Sequence, residues 1–230
     1  MQIEELQHKA NKGDAEAQYK LGHLYYFGNQ SIYYNGEDIK INHSKALEDY
    51  AEAMKWFKKA AEQGNAQSQH NIGTFYSQGF GVQQNYAEAL KWYFLAAQQG
   101  VVEAQFNLGV LYSAGLEDVT VNYAEAIKWF TTAAEQGYAT AQYKLGVMYL
   151  RGEQVMQNDT EAKRWIEKAA EQGNTKALYA LAVLYEDGVG VTQDYAKALE
   201  IYQLLASKGN IDADKKVGEL QKKIKNNYFK

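Results

Sequence analysis

The chain has 230 residues, 46% of them hydrophobic and 23% charged, and a net charge of -4 at pH 7. That balance describes a folded chain with a sizeable core; it argues against a disordered tail and against a nucleic-acid binder, which would present a basic surface. The absence of cysteine excludes disulfides, thiolate nucleophiles and cysteine-held zinc together, and the absence of proline leaves helices unbroken.

In chain order, "MQIEELQHKANKGDAEAQ" is charged from its fourth position, unlike a signal peptide, and no later run approaches the roughly 18 apolar residues of a membrane span. The chain as written is expected in the cytoplasm; one from which a leader had been cut would fit the periplasm or the exterior equally. Residues 1–12 are expected to form an N-terminal capping helix. A first repeat follows over about 13–63, with an insertion at 29–43. Within it, "QSIYYNGEDIKI" sets Asn35-Gly36 between apolar runs, the signal of a β-hairpin, with a surface loop as the plainer reading. If folded, the hairpin would pack on Tyr25, Tyr26 and Phe27.

From there the chain repeats itself. Gly64, Gly100, Gly137, Gly173 and Gly209 follow one another at intervals of 36, 37, 36 and 36 residues, and Gly13 opens the series. The predicted repeats are 64–99, 100–136, 137–172 and 173–208, with a capping helix over 209–230. Together with 13–63 they make five repeats in a single domain. Each repeat reads as two helices. The first starts just after the glycine and shows a 3.6-residue stripe, as at Ala139, Ala141, Leu145, Gly146 and Tyr149. The second starts at an acceptor side chain with Glu three residues on: Asp49, Asn85, Asn122 and Asn158, each resembling the start of a capping box. Glycines such as Gly79, Gly81, Gly115, Gly152, Gly188 and Gly190 suit left-handed caps between helices.

The small residues Gly22, Gly73, Gly109, Gly146 and Ala182 share one position, where close helix approach is expected. Trp56, Trp92, Trp129 and Trp165 share another, and this periodic stripe beside Ala-Ala pairs is read as core filler rather than a ligand box. Tyr25, Tyr76, Tyr112, Tyr149 and Tyr185 are read likewise.

The pattern Ala-x-Ala-Gln-x-x-Leu-Gly-x-x-Tyr, then Gly, then Ala-x-x-Trp-x-x-x-Ala-Ala-x-x-Gly resembles the Sel-1-like repeat family, relatives of the tetratricopeptide repeats, over roughly residues 13–209. Repeat four departs from it with "EQVMQND" in the turn, and repeat five with Leu178, Ala182 and Ile201. The resemblance implies an all-α fold, a right-handed α/α superhelix of antiparallel helix pairs, with the first helix of each pair lining the concave side. By analogy with the tetratricopeptide relatives, groove positions fall on Tyr19, His23, Tyr26, His70, Thr74, Phe106, Val110, Tyr143, Val147, Leu150 and Tyr179. Phe27, Ser77, Gln78, Ser113, Ala114, Arg151, Val183, Glu186 and Asp187 complete the set. The aromatics among them also suit packing between hairpins.

Catalytic motifs are missing. Gly79-Phe80-Gly81 and Gly188-Val189-Gly190 lack the strand and third glycine of a nucleotide loop. His8, His23, His43 and His70 show no short zinc spacing. His23 and His70, on the first helices of adjacent repeats, suggest a metal or pH-sensitive contact at most, and solvated histidine is the plainer reading. No cofactor, metal or catalytic residue is expected. The expectation is a monomeric, non-enzymatic scaffold, of a bacterial kind, holding a protein or peptide in its groove. An immunity protein that neutralises a toxin is the narrower alternative and a hydrolase the alternative of another class.

Overall fold

The computed structural model describes residues 3–28, 34–35, 38–39, 43–116 and 118–228. The described residues form the helices α1 (Ile3–Asn11), α2 (Ala15–Gly28), α3 (His43–Glu62), α4 (Ala66–Gln78), α5 (Tyr86–Gln98), α6 (Val102–Ala114), α7 (Tyr123–Glu135), α8 (Ala139–Arg151), α9 (Asp159–Glu171), α10 (Thr175–Asp187), α11 (Tyr195–Ser207) and α12 (Ile211–Tyr228). Two strands, β1 (Tyr34–Asn35) and β2 (Asp38–Ile39), add a minimal ribbon. The chain falls into two compact units, Met1–Ala126 and Ile127–Lys230.

The repeat glycine ends one helix and turns the chain into the next. At Gly64 φ is +86°, a left-handed conformation that costs glycine nothing, while a methyl group there would meet no atom within 4 Å. Conformation, not space, selects glycine at this position. The turn closes as a Schellman motif: Gly64 N–H donates to the Ala61 carbonyl at 2.9 Å and Asn65 N–H to the Ala60 carbonyl at 3.1 Å. The same pair of bonds recurs at Gly13, Gly100, Gly137, Gly173 and Gly209.

The second helices are capped as predicted at Asn85, Asn122 and Asn158, whose Oδ1 atoms accept from the N–H three residues on at 2.8, 3.1 and 3.0 Å; Asp194 does the same for α11. The reciprocal half of the capping box is replaced. The backbone N–H of each cap donates to a tyrosine carbonyl of the preceding helix, Asn85 to Tyr76 at 2.9 Å and Asn158 to Tyr149 at 3.0 Å. Glu88 and Glu161 are thereby left to pair with Lys91 and Arg164.

Asp49 departs from the expectation. It lies inside α3, which has 20 residues where α5, α7, α9 and α11 have 13. The helix therefore begins seven residues earlier than its counterparts, and residues 43–49 contain no proline or glycine to stop it. In the hairpin, Tyr34 pairs with Ile39 and Asn35 with Asp38. Asn35 is thus the last residue of β1 and Asp38 the first of β2. Packing of the hairpin on Tyr25, Tyr26 and Phe27 lies outside the described residues.

In the first unit α1 to α6 pack in succession, each on the next, and in the second α8 to α12 do the same. In the first, Leu6 and Ala10 of α1 cover Ala17, Leu21 and Trp56, and Ala53, Phe57, Ile72 and Phe75 form the centre between α3 and α4. In the second, Ile166, Ala169, Leu181 and Leu184 form one cluster; Ala182, Tyr202 and Leu205 form another, closed by Ala213 and Leu220 of α12. The close-approach position behaves as predicted. A methyl group on Gly73 would stand 2.6 Å from Tyr93 Cδ1, and one on Gly146 2.6 Å from Ile166 Cγ1. Trp56, Trp129 and Trp165 are buried and Trp92 half-buried. Cations cover some of them: Lys59 Nζ lies 4.3 Å from the Trp56 ring centre and Arg164 Cζ 4.1 Å from that of Trp165.

Candidate functional site

The site candidates lie on the first helices, and each unit is described separately. In the first unit, Tyr19 of α2 is half-buried, its ring 6.2 Å from that of Phe57. His23, one turn on, is exposed, 4.2 Å from the ring of Phe27 and 5.9 Å from that of Tyr19. Tyr26 leans inward on Phe75, with ring centres 5.3 Å apart. On α4, His70 is half-buried, 5.6 Å from the Tyr93 ring. Thr74 donates to the His70 carbonyl at 3.2 Å and accepts from the Tyr93 hydroxyl at 3.2 Å. On α6, Phe106 is half-buried and Val110 is 38% exposed.

His70 is not the solvated residue the plainer reading expected. Burial pushes its imidazole below the ordinary histidine range, against the opposing pull of Glu103. Its Nε2 stands 3.3 Å from Asn107 Nδ2 of α6, a bond that needs the neutral ring as acceptor. It therefore joins α4 to α6 as a polar spacer.

In the second unit, Tyr143 and Leu150 of α8 rest partly on the cluster around Ile166, and Val147 between them is half-buried. Tyr179 of α10 stands edge-on to Tyr202, with ring centres 5.5 Å apart. These side chains divide their surface between the core and solvent.

Two expected groove positions turn inward. Ser77 is 6% exposed and Glu186 9%. The Ser77 hydroxyl lies 3.1 Å from that of Tyr93, and the Tyr202 hydroxyl donates to Glu186 at 3.0 Å. Both pairs join the thirteenth residue after the repeat glycine to the residue after the tryptophan position. In repeat four those places hold Leu150 and Ile166, members of one apolar cluster. Polarity is thus matched across these three helix pairs. Glu186 also accepts from Lys216 of α12 at 3.2 Å. Burial alone would lower Lys216; the bond to Glu186 and its charge outweigh this and raise it. Burial and Glu186 together push the Tyr202 hydroxyl far upward, so it stays a donor at any physiological pH.

The sequence reading also left the repeated glutamines without a role. Buried Gln18, Gln69 and Gln142 donate from Nε2 to the carbonyls of Ala10, Ala61 and Ala134 at 3.0, 3.3 and 3.0 Å. Each accepts at Oε1 from the glutamine that ends the next helix: Gln63, Gln99 and Gln172, all at 2.8 Å. These bonds clamp three consecutive helices. In repeat five the two glutamines are replaced together, by Leu178 and Lys208, and that joint change was the signal available in the sequence.

Among the described residues, no group of three His, Cys, Asp or Glu side chains is placed to hold a metal ion, and no helix is long and apolar enough to cross a membrane. Ser77 is hydrogen-bonded to Tyr93 and to the Thr74 carbonyl, the bonding of a packed hydroxyl. What the first helices offer is surface: aromatic and aliphatic side chains held on one edge and open on the other.

Comparison with known proteins agrees with this geometry. The family model described as the Sel1 repeat matches five times, at residues 15–65, 66–101, 102–138, 139–174 and 175–210. Among solved structures, c5321, a protective antigen of uropathogenic Escherichia coli displaying an SLR fold, is 33% identical with a TM-score of 0.72; the match covers 96% of this chain and 51% of the antigen. A Sel1 repeat protein from Oxalobacter formigenes is also 33% identical with a TM-score of 0.72, over 89% of this chain and 75% of that one. The ERAD-associated E3 ubiquitin-protein ligase component HRD3A of Arabidopsis thaliana is 34% identical over 76 residues, 33% of this chain. The chain spans about half the antigen's length and 9% of the plant protein's.

Proposed function

Because the chain belongs to the Sel1 repeat family, we propose that it is a non-catalytic interaction scaffold that holds a protein or peptide against the open edges of its first helices. The family's repeats generally serve as protein-interaction scaffolds. The observation that carries the reading is the half-packed side chains of the first helices in each unit. Tyr19, His70, Phe106, Tyr143 and Tyr179 keep part of their surface in water, with His23 and Val110 more open beside them. Side chains anchored on one edge lose little entropy on binding, which favours them as contact residues.

Val110 and His23 are better probes than Tyr143 and Leu150, which rest on the core. Affinity capture from the native host should retain a partner on the wild-type chain and lose it on Val110→Glu or His23→Glu, with both variants keeping the wild-type melting temperature. Equal retention by all three would move the site off these faces. Specific binding of a toxin encoded beside the gene would narrow the scaffold to an immunity protein.

A further inference from the structure

The helical glycines Gly22, Gly73 and Gly146 share a register nine residues after the repeat glycine, and each receives a side chain of the following helix: Phe57, Tyr93 and Ile166. Gly218 occupies the same register in α12, nine residues after Gly209. A methyl group built on Gly218 would meet nothing within 4 Å. Glycine inside a helix weakens it relative to alanine, and in α2, α4 and α8 close packing offsets that loss. In α12 nothing does. The opposite face of α12 is engaged, with Ala213 and Leu220 buried against α11 and Lys216 bonded to Glu186.

The open stripe centred on Gly218 is basic. Ile211, Lys215, Gly218 and Lys222 follow at steps of four, three and four, which places them along one side of the helix. Ile211 is 73% exposed, the Lys215 side chain is 70% exposed, and Lys222 and Lys225 are exposed as well. Asp214 is the acidic residue of this face; Asp212, 3.9 Å from Lys215, sits to its side. In the repeats, the residues three before and four after this register are where the following helix is contacted, as at Tyr179 and Glu186, either side of Ala182, against Tyr202. In α12 lysines stand at both flanking places.

We propose that this face of α12 is a second docking site, which receives an acidic amphipathic helix of a partner protein. The partner helix continues the repeat packing. It sets an aliphatic or tyrosine side chain over Gly218, as Ile166 sits over Gly146, and carboxylates beside Lys215 and Lys222. The charge of the stripe selects an acidic helix over a second copy of α1. That helix has Leu6 at the equivalent packing place but carries Lys9 three residues on, facing the lysines. The site is independent of the first-helix faces and stands or falls separately from them.

The test uses the full chain and a lactam-bridged helical peptide of the α9 sequence Asp159–Glu171 carrying Lys163→Glu, Arg164→Glu and Lys168→Glu. Fluorescence anisotropy should show saturable binding that weakens with salt. Gly218→Leu should weaken it about tenfold or more without lowering the melting temperature, since the added side chain enters open space. Lys215→Glu with Lys222→Glu should transfer preference to the unmodified, lysine-bearing peptide. No saturable binding at about 1 mM peptide would overturn the proposal. So would undiminished binding by a folded Gly218→Leu chain, or binding to phosphatidylserine vesicles but not to the peptide.

Discussion

Ser68 occupies a place that the other repeats give to alanine: Ala17, Ala104, Ala141 and Ala177. It is fully buried, and its hydroxyl has no hydrogen-bond partner among the described residues. A buried hydroxyl without a partner forfeits its hydration for nothing, so Ser68→Ala should stabilise the chain by about 1 kcal/mol, read as a rise in urea midpoint at unchanged m-value. A drop would mean the hydroxyl is satisfied. His70 makes the opposite kind of demand. Its folded pKa lies below the unfolded value of 6.5, so between the two the unfolded chain binds more protons and stability rises with pH. This contribution is present above pH 6.5 and lost as pH falls toward the folded pKa, where the Asn107 bond also loses its acceptor. The melting temperature should therefore decline as pH falls below 6.5 toward the folded pKa, and His70→Gln should flatten the decline. An equally steep decline in the variant would place the titrating group elsewhere.

At the scale of the helix, the two halves of the capping box separate. The half formed within one turn, from the cap side chain to the N–H three residues on, follows from local sequence and is present at Asn85, Asn122 and Asn158. The half that would return from Glu to the cap N–H is lost to a carbonyl of the previous helix, a partner that only folding supplies. Asn85→Ala should cost about 1 kcal/mol in chemical denaturation. Asp49→Ala, in the body of α3, should change stability by less than about 0.5 kcal/mol. Comparable losses would mean that α3 starts at Asp49 after all, with residues 43–48 outside it. The glutamine clamp belongs to this scale too. It explains why the Ala-Ala-x-Gln-Gly phrase recurs: the second alanine offers its carbonyl and the glutamine its amide, to one side chain of the next or the preceding first helix.

At the scale of the whole molecule, the packing inside each unit runs between helices adjacent in sequence, so perturbations should stay near their origin. Gly73→Ala drives a methyl group to 2.6 Å from the buried Tyr93 ring and should cost about 2 kcal/mol. Amide exchange should accelerate in α4 and α5 while α10, α11 and α12 keep their protection; uniform acceleration would instead reveal one cooperative block. The repeat length, the helix pairs, the left-handed turn glycines and the close-approach glycines were all legible in the sequence, because backbone conformation and a 3.6-residue stripe are written within a dozen neighbouring residues. Tertiary structure decided what each side chain faces. Ser77 and Glu186 turn inward because Tyr93 and Tyr202, 16 residues away, offer hydroxyl groups there. His70 is withdrawn from water because Asn107 reaches it from 37 residues on, and the glutamines find their partners 30 or 45 residues away. Periodicity names the face of a helix; burial depends on what a distant segment brings against it, and a local pattern carries no record of that.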